Sequence, residues 1–223
     1  MKKVTVSNPR KGKTLKKYSF LKPTTWNPVF VSLVSHFLFD GNLQKTWCGY
    51  NNRSRVLIDK IIYDMKICLD VNDYKIYKNN FTGVTRVAYH NVEIAIFIKQ
   101  KTLELLDYIL YAPDDQKLSF LSSFFDDEGS VRFRNRQRSV HGYQDSSKLL
   151  GIVKLLLKDF EIQSKIDSKY FEIIVSKREN LLKFQKLINF TPGLRVNGKR
   201  TNSIWKKDLE KRKILQMALD SYL

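Results

Sequence analysis

Two acid–glycine steps carry the chemistry available to this sequence. Asp40-Gly41 closes the apolar run Leu33-Val34-Ser35-His36-Phe37-Leu38-Phe39, and Glu128-Gly129 closes Leu121-Ser122-Ser123-Phe124-Phe125-Asp126-Asp127. Each run reads as a helix with its acid at the C-terminal end, where the helix dipole already places negative charge. Ser35 and Ser123, with Val34 and Ser122 beside them, are small enough to let two such helices approach closely. A tight pair would bring Asp40 and Glu128 together. Carboxylates so placed repel each other and oppose both dipoles unless a cation sits between them. Mg²⁺ meets that need, because it takes carboxylate oxygen and completes its shell with water and phosphate oxygen, and Mn²⁺ or Ca²⁺ can replace it for binding. The expected chemistry is metal-assisted attack of water on a phosphodiester. No acidic residue precedes Asp40 in the chain, which sets it apart from an incidental surface acid.

These residues recur because the chain reads twice. Gly49-Tyr50-Asn51-Asn52-Arg53-Ser54-Arg55-Val56-Leu57-Ile58 is answered by Gly142-Tyr143-Gln144-Asp145-Ser146-Ser147-Lys148-Leu149-Leu150-Gly151. Further on, Ile94-Ala95-Ile96-Phe97-Ile98 and Phe171-Glu172-Ile173-Ile174-Val175-Ser176 each read as a strand that runs into a lysine, Lys99 or Lys177, and then a helix. Three landmarks in one order mark a duplication. Their unequal offsets predict a longer first hairpin in the second half. They also predict a longer segment before the first lysine, with an extended hairpin around Lys78-Asn79-Asn80-Phe81-Thr82-Gly83.

The elements that must position these residues follow from the same pattern. In the first half a helix spans Pro28 to Phe39 with Gly41 as its stop. Strands run to about Tyr50, a helix covers Ser54 to Ile67, strands continue through Ile98, and a helix reaches about Tyr111. Ala112-Pro113-Asp114-Asp115 is the linker, since Pro113 breaks one helix and an acid can cap the next. The second half repeats this to about Leu187. Thr191-Pro192-Gly193 and Asn197-Gly198 then precede a charged helix from about Trp205. The expected division is a basic N-terminal arm over 1–25, subdomains over 26–112 and 113–190, and a C-terminal turn and helix over 191–223.

Leu121 to Gly129 resembles the nine-residue motif of the LAGLIDADG homing endonucleases, in their two-motif, single-chain form. Leu33 to Gly41 is a looser match, with His36 and Leu38 in place of the usual apolar and acidic residues. The resemblance covers roughly residues 28 to 190. It implies an α+β protein of two αββαββα-like subdomains with pseudo-two-fold symmetry, whose antiparallel sheets form a DNA-binding saddle. It implies a monomer that cuts both strands of a long, asymmetric DNA target. On the family pattern Asp40 and Glu128 are catalytic metal ligands, with the carbonyls of Phe39 and Asp127 as further candidates. Lys99 and Lys177 match the place of a basic residue near the scissile phosphate, where it polarises solvent or stabilises developing charge. Asp126 and Asp127 are read as structural or near-site rather than catalytic. Asn52 and Asp145 sit where similar proteins often carry Asn or Gln, in a role left open. Two rival functions use the same surface: an RNA maturase that assists splicing of an intron RNA, and a DNA-binding regulator that does not cleave.

The recognition signal is Val131-Arg132-Phe133-Arg134-Asn135-Arg136-Gln137-Arg138. Strand alternation puts Arg132, Arg134 and Arg136 on one side, with Val131 and Phe133 packed behind. Arg138 is counted with them, and Gln163 and Lys165 join the DNA-binding set. The matching first-half strand offers Asn42, Gln44 and Thr46 outward, with Leu43 and Trp47 inward. Unequal strands predict an asymmetric target.

Composition agrees with a polyanionic partner. Forty Lys+Arg against 22 Asp+Glu give a net charge of +18, which attracts double-stranded DNA before any specific contact forms. Lys2, Lys3, Arg10, Lys11, Lys13, Lys16, Lys17 and Lys22 all precede the first acid. They read as an arm that tracks phosphates, since a transit peptide would favour Arg over Lys. Cys48, Cys68 and three His lack the spacing of a disulfide framework or a zinc site. A reducing, intracellular compartment, either prokaryotic cytoplasm or an organelle matrix, is expected, and no apolar run approaches the ~20 residues of a membrane span.

Overall fold

The computed structural model describes residues 2–8, 16–135, 137–198 and 205–222. It divides into two compact units, Met1–Asp107 and Tyr108–Leu223. In the first unit strands β1 (Lys2–Asn8) and β2 (Lys16–Lys22) form an antiparallel hairpin. There follow α1 (Pro28–Phe39), β3 (Gly41–Leu43), β4 (Cys48–Asn52), α2 (Arg55–Leu69), β5 (Lys75–Lys78), β6 (Thr85–Tyr89) and α3 (Val92–Tyr108). The four later strands make one antiparallel sheet in the order β3-β4-β6-β5.

Helix α1 starts where Asn27 accepts a hydrogen bond from the Phe30 N–H (2.9 Å) and Pro28 takes the first position. Phe30 through Phe37 are all buried, so this helix is covered on every side. In α2 the buried Leu57, Ile58, Ile61, Met65, Cys68 and Leu69 recur at helical spacing and leave Tyr63 and Ile67 exposed. Cys48, Tyr50, Val87 and Tyr89 fill the helix side of the sheet. The N-terminal stretch expected as an arm is a hairpin tied to this unit: Phe20 is buried and meets Phe97 of α3 edge-on at 6.1 Å. Arg10, Lys11 and Lys13 lie outside the described residues.

The second unit opens with a 3-10 turn (Ile109–Tyr111) and continues with α4 (Asp114–Glu128), β7 (Gly129–Arg134) and β8 (Gln137–Tyr143). Then come α5 (Ser147–Asp159), β9 (Ser164–Asp167), β10 (Glu172–Ser176), α6 (Arg178–Leu187) and α7 (Lys211–Asp220). Its sheet is antiparallel in the order β7-β8-β10-β9. Phe124, Phe125, Phe184 and Phe190 form an aromatic core, with successive ring centroids 5.0, 4.8 and 5.7 Å apart. No helix among the described residues is long and apolar enough to cross a membrane.

Both units therefore follow the expected αββαββα order, and the first hairpin is longer in the second. Helix α1 has the expected bounds, and the hairpin turn at Asn79–Val84 is present. One element differs. Ile94 to Lys99 is not a strand but lies in α3, where Ile94, Ala95, Phe97, Ile98, Thr102 and Leu105 are buried while Ile96 and Lys99 face solvent. Asn91 starts that helix by accepting from the N–H groups of Glu93 (2.9 Å) and Ile94 (3.2 Å). A short apolar run fits strand and buried helix equally well, and this cap decides the matter. The C-terminal helix also starts later than expected, at Lys211.

Strand register gives the true correspondence between the units. Gly41 pairs with Tyr50, which pairs with Val87; Gly129 pairs with Gly142, which pairs with Ile173. Tyr50 thus corresponds to Gly142, so the two Gly-Tyr pairs are one residue out of register. Counting on from these anchors, Asn52 matches Gln144, Ser54 matches Ser146, and Asn91 matches Lys177. Ser54 and Ser146 both stand at the N-cap position of the next helix, and the carbonyls of Asn91 and Lys177 each accept from the fourth residue onward. These agreements confirm the alignment.

Candidate metal and nucleic-acid site

Each acid sits where a helix turns directly into a strand. Asp40 caps α1, its N–H bonded to the His36 carbonyl at 3.0 Å, and Glu128 is the last residue of α4. The glycine that follows is required by contact rather than by φ. A Cβ on Gly41 would lie 2.0 Å from the Phe37 carbonyl oxygen, and one on Gly129 would lie 2.2 Å from that of Phe125. Only glycine lets the strand fold back so closely on the last helical turn.

Asn52 orients the first acid. Its Nδ2 donates to Asp40 Oδ2 (2.9 Å) and lies 3.0 Å from the Tyr50 hydroxyl, while its Oδ1 accepts from the Ser54 N–H (2.8 Å). In the second unit Gln144 stands in its place, with Oε1 receiving the Ser146 N–H at 3.4 Å. The residue pairing with Asn52 is therefore Gln144 and not the exposed Asp145. The signal for Asn52 was its position, an amide just before a helix-capping serine.

Among the described residues no three His, Cys, Asp or Glu side chains cluster as a metal cage. Single hard carboxylates at helix ends suit Mg²⁺, which keeps water and phosphate in most of its shell. Burial pushes the Cys48 thiol up to about 12 and the Cys68 thiol up to about 11, so both are neutral thiols in the folded chain. Asp126 is structural, as expected. It is buried, accepts from the Thr191 N–H (2.7 Å) and hydroxyl (2.5 Å), and its carbonyl accepts from Lys211 Nζ (3.0 Å).

The two lysines occupy different settings. Lys177 is exposed just after β10, in a left-handed backbone conformation (φ 68°) that a non-glycine residue adopts at a cost. Lys99 is exposed on α3, well inside the helix. The residue in register with Lys177 is Asn91, whose side chain caps α3.

Arg132 and Arg134 do share the face turned away from the helices and are exposed. Arg132 forms an ion pair with Glu172, whose other oxygen lies 3.0 Å from His141 Nδ1, and His141 Nε2 lies 2.8 Å from the Ser139 hydroxyl. Lys165 is exposed on this face opposite Ile174, and Gln163 is exposed just before β9. Arg136 lies outside the described residues. Arg138 is placed otherwise than expected. Alternation turns it to the helix side, where Nε donates to the Ser221 hydroxyl (2.6 Å) and Nη2 to the Ser221 carbonyl (2.7 Å) at the end of α7.

On the first unit Gln44 and Thr46 are exposed, and Gln44 donates to Asn42 Oδ1 (2.6 Å). Trp47 is not inward. The turn after β3 breaks the alternation, and the ring lies over Gly49, where a Cβ would meet it at 2.9 Å. That is the face of Asn42, which pairs with Gly49. Arg86 of β6 lies over both the Trp47 ring (5.1 Å) and the Tyr77 ring (4.8 Å), a cluster the sequence reading missed.

Residues 115–189 match the family described as LAGLIDADG-like domain. No curated protein matches the sequence. The crystal structure of I-DmoI in complex with DNA and Mn is similar, with a TM-score of 0.56 at 15% identity, over 73% of this chain and 96% of that one. Mesophilic variants from the homing endonuclease I-DmoI give 0.53 at 15%, over 72% and 88%. The N-terminal LAGLIDADG domain of DUF199/WhiA gives 0.56 at 16%, over 75% and 85%. At these identities the likeness is one of fold.

Proposed function

We propose that this chain, which carries a LAGLIDADG-like domain and shares the fold of that family, is a site-specific DNA endonuclease working as a monomer with a divalent metal, Mg²⁺ first. The observation that carries the reading is the duplicated helix-end acid, Asp40 and Glu128, each followed by a glycine that no side chain can replace. An acid there opposes its helix dipole, so helix stability does not account for it. A cation and a phosphate do. The similarity to I-DmoI, a structure holding DNA and Mn, supports the same substrate and a divalent ion.

The small residues of the two motif helices include Ser35 of α1 and Ser123 of α4. Both serines are buried and already bonded to carbonyls of their own helices, at 2.7 and 2.9 Å, so they leave no hydroxyl unsatisfied. Asp40 and Glu128 would hold the metal, with the Phe39 and Asp127 carbonyls as further ligands. A bound divalent ion supplies Lewis-acid stabilisation of charge at the phosphate and makes water acidic enough to attack. Asn52 holds the Asp40 carboxylate at one oxygen, and Gln144 takes the matching register position in the second unit. Lys177 sets a positive charge near the developing negative charge. Lys99 lies off this junction and assists from α3 if it takes part. The two sheet faces enter the major groove and read unequal half-sites.

The test is incubation of the full chain with a plasmid library carrying randomised inserts, in Mg²⁺ and in EDTA. The reading predicts double-strand breaks at one long consensus in Mg²⁺ and none in EDTA. Binding without cutting in Mg²⁺ or Mn²⁺ would favour the non-cleaving regulator, and preferential retention of RNA would favour the maturase.

A further inference from the structure

We infer that Arg86 is the guanine-reading residue of the first unit, held ready by Trp47 and Tyr77; this rests on the DNA-binding reading above. Arg86 stands on β6, an inner strand of the sheet, on the face opposite α1 and α2. Its cross-strand neighbours there are Asn51 and Tyr77. Among the described residues it forms no ion pair, and its Nε is buried without a hydrogen-bond partner. A guanidinium with no carboxylate beside it is available to an acceptor from outside the chain.

The aromatic cluster decides which acceptor fits. The guanidinium carbon lies over both the Trp47 and the Tyr77 ring, and these contacts limit where the side chain can go. Tyr77 is itself fixed by its hydroxyl 3.1 Å from His90 Nε2, and Trp47 is fixed against Gly49. A planar fork held this way loses little freedom on binding and matches the paired N7 and O6 acceptors of guanine. Phosphates run along the walls of a groove, within reach of the edge strand β5 and its exposed Lys75. The inner strand faces the floor, where the base edges are.

The experiment selects duplexes from a randomised DNA pool with the full chain in Ca²⁺, then with Arg86→Ala, Arg86→Lys and Trp47→Leu. The wild type is expected to fix a guanine at one position of one half-site, preferred about 5- to 150-fold. Arg86→Ala and Arg86→Lys should erase that preference and leave the other positions unchanged; Lys keeps the charge but not the fork. Trp47→Leu should weaken it several-fold. If Arg86→Ala instead lowers affinity for all sequences alike and reduces the salt slope by about one, the contact is to phosphate and the inference is overturned. An unaltered consensus overturns it too. A wild type that enriches no sequence overturns the DNA-binding reading itself.

Discussion

Each unit sets an arginine on the open face of its sheet, and the two are kept in opposite ways. Arg86 lies over two aromatic rings with no acidic partner among the described residues, whereas Arg132 is paired with Glu172, which also holds His141. The first leaves its donors for an incoming acceptor. The second must exchange an internal acceptor for an external one, so its net gain on binding is smaller. Duplication has preserved the scaffold and the acids while the open faces of the sheets have diverged. The backing differs as well: the end of α7 is bonded to Arg138 of β8, and Lys211 of α7 to Asp126 of α4, whereas the first unit gains the β1–β2 hairpin, pinned by Phe20.

The largest effect tests what the units share. Gly41→Ala and Gly129→Ala place a methyl group inside contact distance of a backbone carbonyl in both units. Each should cost more than the roughly 1–3 kcal/mol of ordinary overpacking, read as a lowered melting temperature. If one variant melts like the wild type, the helix-to-strand turns of the two units are not equivalent.

A smaller effect separates the lysines. Lys177→Ala should slow single-turnover cleavage by about tenfold, equivalent to about 1.4 kcal/mol of barrier, with little change in DNA affinity. Lys99→Ala should change the rate less than twofold, because Lys99 lies within α3 rather than at the junction that holds Lys177. Equal slowing by both would restore the pairing that strand register argues against.

The smallest effect concerns the acid-linked face of the second unit. Burial holds His141 below its usual pKa of 6.5 and Arg132 pushes the same way, against the raising pull of Glu172 and Asp167. The unfolded chain therefore binds a proton that the folded unit resists. Its stabilising share is full above 6.5 and is lost as pH falls below that value toward the folded pKa. Melting temperature should drop across this window in the wild type and less steeply in His141→Gln. Parallel pH profiles would remove His141 from the account.

Much of this was legible in the sequence, and the gaps have physical causes. Helix α1 was readable to its ends because Asn27-Pro28 starts it and the apolar run stops at Asp40-Gly41. The acids were readable because acid–glycine recurs after matched apolar runs. Ile94 to Lys99 was not, since a short apolar run does not reveal its period and the deciding cap, Asn91, lies outside it. The Gly-Tyr pairs misled by one residue because strand pairing, not residue type, sets register. Asn52 had a place but no role until its bond to Asp40 joined β4 to the end of α1. Arg86 escaped because Trp47 and Tyr77 meet it only once β4, β5 and β6 have paired.

The central proposal is that Asp40 and Glu128 are each a ligand for the divalent metal that DNA cleavage requires. The direct measurement is cleavage of the selected duplex in Mg²⁺ by Asp40→Asn and Glu128→Gln, with binding of the same duplex measured in parallel. The account predicts that each variant makes no double-strand breaks and binds within a few-fold of wild type. Double-strand cleavage at the wild-type rate by either variant would contradict it.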